Sequence, residues 1–509
     1  MTQTVEPPQQ VAPARERTPH TSPGERRWAT LFRRWAPGLI PALAMLVVGR
    51  FRLLQPSLGW DENATWLVGT RTVGQIVDLA QNLDAVISPY YLFMHFWMGV
   101  FGDSELSLRM PSLLAVAAGV GVSAELGRRL FGPGAGLLAG LMMVLVPQFS
   151  RYAQEARAYG LAFFFAALAS LLLYRAFEKP SWGRWSAYGF AIALTGVSHL
   201  LALLVLGGHL YAVAARWWPT RDKRLLRWVA VTAVGLMPVS PLLYMGSQQR
   251  GRQLEWIPEL DTAGVLAAPG QLFGSAAAGL LLIGIAATVR AERQLVRDLV
   301  VLATLPPLVL IGISLVSSSM WVPRYVLFVL PAIVLLAAAA LHGLRLRMAL
   351  ALVLLAAVSA PAHAQVRGPV SHMGSDFRAV KRILQQNQQP GDVIVFSMKS
   401  AWSLRAGVSY QLRGQLRPLD VEQAEQAAEV GELNAKLCAD QVACLGNAKR
   451  VWYLRQGASG KPLADSGPLE ATLTRDYRQV KVWQPVKTTL VLLERNRDPG
   501  PAGRVRRSG

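Results

Sequence analysis

"GLLAGLMMVLVPQFSRYAQEARAYGLAFFFAALASLLLYR", residues 136–175, sets two long apolar runs on either side of a turn that holds Arg151, Glu155 and Arg157. A helix needs about 20 mostly apolar residues to cross the hydrocarbon core of a bilayer, and polar groups mark its ends. The stretch therefore reads as a helical hairpin through a membrane, with its charged turn at one surface.

The same pattern recurs along the chain. Of the 509 residues, 52% are hydrophobic and only 16% are charged. A soluble chain of this length would divide into about three or four domains. Here apolar blocks predict eleven crossings, at roughly 38–55, 107–126, 133–148, 158–176, 185–199, 200–215, 226–244, 271–289, 298–316, 325–342 and 347–364. The formal charge of +21 does not point to nucleic acid, because Lys and Arg punctuate apolar segments instead of forming one stripe with interleaved aromatics.

Charge then orients the threading. Residues 1–37 are rich in Pro, Ser, Thr and Arg and read as a disordered cytoplasmic tail, closed by Arg26, Arg27, Arg33 and Arg34. The turns "ELGRRLFG", "YRAFEKPSWGRW", "RWWPTRDKRLLRW", "RAERQLVRD" and "HGLRLRM" each carry two or more cations and fall on the inside. The segments holding "WDENATW", "QFSRYAQEAR", "SHL", "GSQQRGRQLEWIPEL" and "SSSMWVPRY" fall outside. Two places strain this count. "SPYYLFMHFWMGVFG", residues 88–102, is short and aromatic, and is expected to lie at the interface. Residues 185–215 are barely long enough for two spans, and one long helix is the rival reading.

From residue 365 the pattern changes. "GDVIVFS" and "KRVWYLRQ" read as buried strands, while "DFRAVKRILQQN" and "VEQAEQAAEVGELNAKL" read as amphipathic helices. Residues 365–495 are expected to form an exterior α/β domain, followed by a basic disordered tail at 496–509. The only cysteines, Cys438 and Cys444, lie six residues apart, a spacing that suits a small disulfide loop on an oxidising side.

The ionisable residues at membrane edges gather on the exterior face: Asp61 and Glu62, Glu155 and Arg157, His199, and Arg324. Charges so close to hydrocarbon are costly unless paired, hydrated or used. Acids can hold a divalent cation or take a proton from an attacking hydroxyl, and Arg and His can stabilise a departing phosphate. That set suits glycosyl transfer from a lipid phosphate. Adjacent side chains diverge on a helix by about 100°, so Asp61 and Glu62 are expected to have separate jobs. The "NAT" sequon in the same stretch is a chance-level pattern.

The succession "GWDENATW", "SPYYLFMHFWMGVFGDSELSLRMPSLLA", "GRRLFGPGAGLLAGLMMVLVPQFSRYAQEARAYGLAFFFAALAS", "SHLLALLVL", "WIPEL" and "PRYVLFVLPAIVLLAA" resembles bacterial membrane glycosyltransferases of family 39, relatives of protein O-mannosyltransferases and the lipid A aminoarabinose transferase. The resemblance covers about residues 35–365. It implies a GT-C fold and transfer of a sugar, mannose-like or other, from a polyprenyl phosphate carrier to a glycan, lipid or protein acceptor, usually with inversion. By motif it implies Asp61 as catalytic base with Glu62 beside it, Glu155 as the second acid, Arg324 and Tyr325 as an "RY" motif whose arginine binds phosphate, and His199 as the "SH" turn. The chain departs from the family where "ISPYYLF" lacks the lysine found in some branches. The donor phosphate then falls to Arg157, Arg250, Arg252 or Arg324.

The expectation is thus an α-helical polytopic protein of the cytoplasmic membrane, with its catalytic domain at residues 38–364. Asp61 takes the acceptor proton, Arg324 and Arg157 meet the phosphate, and a divalent metal held by Asp61 and Glu155 assists. A lipid-linked sugar flippase would instead place its ionisable residues near the midplane with repeat symmetry between halves, which the sequence does not show. A silent membrane scaffold is the other rival.

Overall fold

The computed structural model describes residues 23–496, apart from 373, 400 and 459. Of the expected tails at 1–37 and 496–509, residues 1–22 and 497–509 lie outside the described residues. Contacts divide the chain into Met1–Ala36 and Pro37–Gly509; the first helix crosses that boundary, and every element after it belongs to the second unit. The first helix, α1 (Pro23–Arg50), begins within the stretch expected to be a tail.

Three short helices follow: α2 (Trp60–Gly69), α3 (Val73–Asn82) and α4 (Ser88–Phe101). At 14 residues α4 is too short to span, and it exposes Phe96, Val100 and Phe101, as suits an interfacial helix. The helical bundle then runs α5 (Glu105–Phe131), α6 (Pro133–Leu145), α7 (Pro147–Ala153), α8 (Tyr159–Glu178), α9 (Trp182–Ser198), α10 (Val205–Thr220), α11 (Arg227–Leu236), α12 (Ser240–Leu254), α13 (Thr262–Phe273), α14 (Ala276–Ala286), α15 (Arg293–Val316), α16 (Leu330–Leu341) and α17 (Arg345–Gln365).

Seven helical segments are long and apolar enough to cross a membrane, and two bent pairs raise the number to nine. The two remaining expected crossings are also helical, in α1 and in the 17-residue α9. Residues 185–215 form two helices because His199 is extended, with φ −163° and ψ 116°. The expected straight crossing at 271–289 is instead broken by 82° between α13 and α14. Gly274 takes φ +73° and Ser275 caps the new helix by accepting from the Ala278 amide, so the sequence encodes the stop and the restart. Likewise α6 ends at extended Val146 because Pro147 follows it.

The charge-rich turns meet at one end of the bundle. Arg129 pairs with Glu178 at 2.9 Å, Arg216 with Asp298 at 2.7 Å, and Arg227 donates to the Pro180 carbonyl. Between the ends, small residues let helices close in: a Cβ on Gly119 would lie 2.4 Å from the Phe163 ring.

The C-terminal region holds α18 (Phe377–Asn387), β1 (Val393–Phe396), α19 (Ala401–Gln411), β2 (Leu419–Asp420), β3 (Gln423–Glu425), β4 (Lys436–Leu437), β5 (Arg450–Gln456), β6 (Tyr477–Trp483) and β7 (Thr488–Arg495). A five-stranded sheet has the order β2-β1-β5-β7-β6, with β1 parallel to β2 and β5, and β7 antiparallel to both its neighbours. Alternate residues feed two cores, Ile394 and Phe396 on one face and Val393 and Val395 on the other. The helix expected at 421–437 is absent; β3 and β4 pair antiparallel there. Tertiary ties override the local pattern: Glu422 is buried against Arg405 and the Phe396 amide, and Gly431 takes φ +63°. Cys438 and Cys444 form a disulfide.

Candidate functional site

Asp61 and Glu62 lie in the first turn of α2, where acids complement the helix dipole. Their side chains diverge as adjacent helical residues must, and their surroundings differ in kind. Glu62 is fully buried and accepts from Arg109 Nε at 2.7 Å and Nη2 at 2.9 Å, His372 Nδ1 at 2.8 Å, the Ala156 amide at 3.1 Å and the Gly59 amide at 2.9 Å. Burial by itself raises a carboxyl's pKa, but Arg109 and His372 overcome it and hold Glu62 well below the usual carboxylate range. The carboxylate thus ties α2 to α5, to the turn after α7 and to the segment entering the C-terminal region. Among the described residues five donors converge on it, whereas Asp61 beside it stands in different surroundings.

Asp61 is 25% exposed. Arg157 Nη2 stands 3.7 Å from Oδ1 and Arg324 Nη2 stands 3.7 Å from Oδ2. Among the described residues Oδ2 has no hydrogen-bond partner. The carboxylate is thus flanked by two cations, each beyond hydrogen-bond distance.

The other expected residues converge on this point. Arg324 follows Pro323 in a 3-10 turn after α15 and donates from Nε to the Tyr159 hydroxyl at 2.9 Å. Its guanidinium lies over the rings of Tyr159 and Trp256, at 5.4 and 5.0 Å. Tyr325 packs 4.9 Å from His199, ring to ring, and the buried His199 Nδ1 has no partner among the described residues. Glu155, between α7 and α8, pairs with Arg151 at 2.9 Å, yet burial outweighs that cation and raises its pKa. Arg157 donates from Nη1 to the Tyr91 hydroxyl at 3.0 Å.

Two expected phosphate ligands are engaged elsewhere: Arg250 bonds Ser317 and Ser318, and Arg252 pairs with Glu432. Among the described residues no three His, Cys, Asp or Glu side chains converge as a metal site. Arg151, Arg157 and Arg324 already stand against the two carboxylates, so Asp61 and Glu155 do not fit a divalent cation and the expected metal has no cage. Sequence reading missed Arg109, Asp84, Tyr91, Tyr159 and His372. Arg109 carried a usable signal, a lone charge within "SLRMPSLLAVAAG", which in a membrane segment asks for a partner. His372, 310 residues from Glu62, carried none.

Residues 89–245 match the family model of dolichyl-phosphate-mannose-protein mannosyltransferase. The structure of ArnT from Cupriavidus metallidurans in the apo state superposes with a TM-score of 0.58 at 15% identity, covering 92% of this chain and 98% of that one. The chain has the GT-C fold of membrane glycosyltransferases. A second ArnT structure from the same organism, bound to undecaprenyl phosphate, matches over the same shares with a TM-score of 0.55 at 16% identity. No curated protein matches at a significant level. The GT-C likeness spans both the helical bundle and the C-terminal sheet, so the resemblance read from the motif order holds for the fold of nearly the whole chain.

Proposed function

We propose that this multi-pass membrane protein transfers a glycosyl group from a polyprenyl phosphate to an acceptor hydroxyl, by single displacement with inversion. The observation that carries the reading is the Asp61 carboxylate, part exposed, with one arginine 3.7 Å from each oxygen. Asp61 removes the acceptor proton as the acceptor oxygen bonds the anomeric carbon. The bond from that carbon to the phosphate oxygen breaks, and its electron pair leaves with the phosphate, whose charge Arg324 and Arg157 neutralise. Tyr159 holds Arg324 in place, His199 and Tyr325 wall the site, and Glu155 with Arg151 completes its charge balance. The family match to enzymes that use a dolichyl phosphate mannose, and the ArnT structure with undecaprenyl phosphate, support a lipid-phosphate donor.

By the positive-inside rule the cation-rich turns face the cytoplasm, which puts Asp61 and the C-terminal region on the outer face of the cytoplasmic membrane. The acceptor is then a glycan, lipid or protein of the envelope. General-base assistance is worth about 10²- to 10⁴-fold. Purified Asp61→Asn should lose turnover by that factor while melting with the wild type; wild-type turnover in that variant would overturn the assignment.

A further inference from the structure

The turn between α3 and α4 presents a buried acid that the mechanism above does not use. Asp84 is 8% exposed and takes φ +60°, the left-handed region that non-glycine residues rarely occupy. That conformation costs on the order of 1 kcal/mol or more and persists only where the surroundings enforce it. Here α12 enforces it. Gln249 brackets the turn, donating to the Ala80 carbonyl at 2.8 Å and accepting from the Ala85 amide at 2.9 Å, and Gln253 donates to Asp84 Oδ1 at 3.4 Å.

The other oxygen of Asp84 accepts from the Tyr91 hydroxyl at 2.8 Å. Tyr91, fully buried in α4, accepts in turn from Arg157 Nη1 at 3.0 Å, and the guanidinium lies 5.5 Å above its ring. A phenol has one proton. Because Asp84 takes it, the lone pairs of Tyr91 face Arg157, and Nη2 is left for Asp61 and whatever anion joins it.

We infer that Asp84 and Tyr91 are positioning residues that aim Arg157 at the donor phosphate. The assignment rests on the transfer reading above and extends it. It accounts for a buried acid held in a strained turn beside the site. It also joins Arg157 to α12, whose C-terminal end leads to Trp256 over Arg324.

The test uses the full-length enzyme in detergent, with undecaprenyl phosphate as the binding probe and apparent melting temperature as the control for folding. Tyr91→Phe and Asp84→Ala should each weaken binding by about ten- to a hundredfold, the worth of a hydrogen bond to a charged group. Asp84→Asn keeps an acceptor for the phenol and should stay within about threefold of wild type. In an Arg157→Gln background both substitutions should add nothing. If they weaken binding equally in that background, Asp84 and Tyr91 act on the fold and the inference is wrong. Should Asp84→Ala fail to fold, Tyr91→Phe reads the same coupling by removing one oxygen. If Arg324→Gln abolishes binding and Arg157→Gln leaves it intact, the positioning role is overturned while the transfer reading stands. If neither arginine matters, the phosphate site itself is misassigned, and the inference falls with it.

Discussion

Replacing Glu62 by Gln changes one atom and one charge, and the structure makes its consequence large. The Glu62 carboxylate receives five donors, and its main partner, Arg109, is as fully buried as Glu62 itself. A Gln amide offers one acceptor oxygen where two stood and turns an N–H toward other donors. The Arg109 guanidinium keeps its charge, fully buried, without the carboxylate that paired it. Breaking a buried pair in this way costs about 3–5 kcal/mol, a large part of the roughly 5–15 kcal/mol that keeps a domain folded. Glu62→Gln should therefore express poorly and melt well below wild type in detergent. A second substitution, Arg109→Met, should recover much of the loss, because removing both charges is far less costly than removing one.

The pH dependence has a definite sign. The folded-state pKa of Glu62 lies below its unfolded value of about 4.3. Its contribution is present in full above that value and is lost as pH falls through the lower folded value. Wild type should lose this share of its stability only below about pH 4, and Glu62→Gln should lack that component at every pH. Asp61→Asn is the contrast: among the described residues its side chain accepts no hydrogen bond, so melting should hold while turnover falls. If Glu62→Gln instead melted with wild type and lost turnover as Asp61→Asn is expected to, the division of labour between the two acids would be reversed.

Gly59→Ala would set a Cβ 2.0 Å from the His372 carbonyl oxygen, so it should destabilise the protein as severely as Glu62→Gln, read by the same melting assay. Arg252→Ala should leave undecaprenyl phosphate binding within about twofold of wild type, since its guanidinium is held by Glu432 away from Asp61, whereas Arg324→Gln should abolish binding. Cys438→Ser with Cys444→Ser should cost about 2 kcal/mol, the loop-closure value for so short a loop, seen as earlier melting under non-reducing conditions only.

Hydropathy made the helical bundle legible because a bilayer imposes one length on every span. It could not show where a span breaks. At 271–289 the mean composition is uniformly apolar, and only Gly274 followed by Ser275 marks the bend. The false helix at 421–437 has the opposite cause: its Glu and Ala residues favour a helix locally, but Glu422 and Glu432 are held by Arg405 and Arg252. Asp61 and, around it, Glu155, Arg157, His199 and Arg324 were legible as ionisable residues at membrane edges, and Tyr325 only through the resemblance's RY motif. Asp84, Tyr91 and His372 were not, since a turn acid, an interfacial tyrosine and a linker histidine are ordinary until the fold brings them to an arginine or a carboxylate.

Such partners set two adjacent acids in different surroundings. α2 is held from several directions: Glu62 by Arg109 of α5 and by His372, Thr65 by the Ala156 carbonyl, and Trp66 by Tyr410 of α19, ring to ring at 5.2 Å. Trp66 also donates to Asp103, which pairs with Arg413 of the C-terminal region. All of these ties run through the neighbours of Asp61, and none uses its side chain as an acceptor. The base proposed for the transfer must be fixed in place yet leave its own oxygens unbonded until the acceptor arrives. Placing it one residue before a fully bonded Glu62 meets both needs, because the helix is immobilised by one carboxylate while the other keeps its lone pairs between Arg157 and Arg324. On this account the C-terminal region belongs to the frame of the site through His372 and Tyr410, and losing either contact should lower transfer without touching a group that meets the sugar.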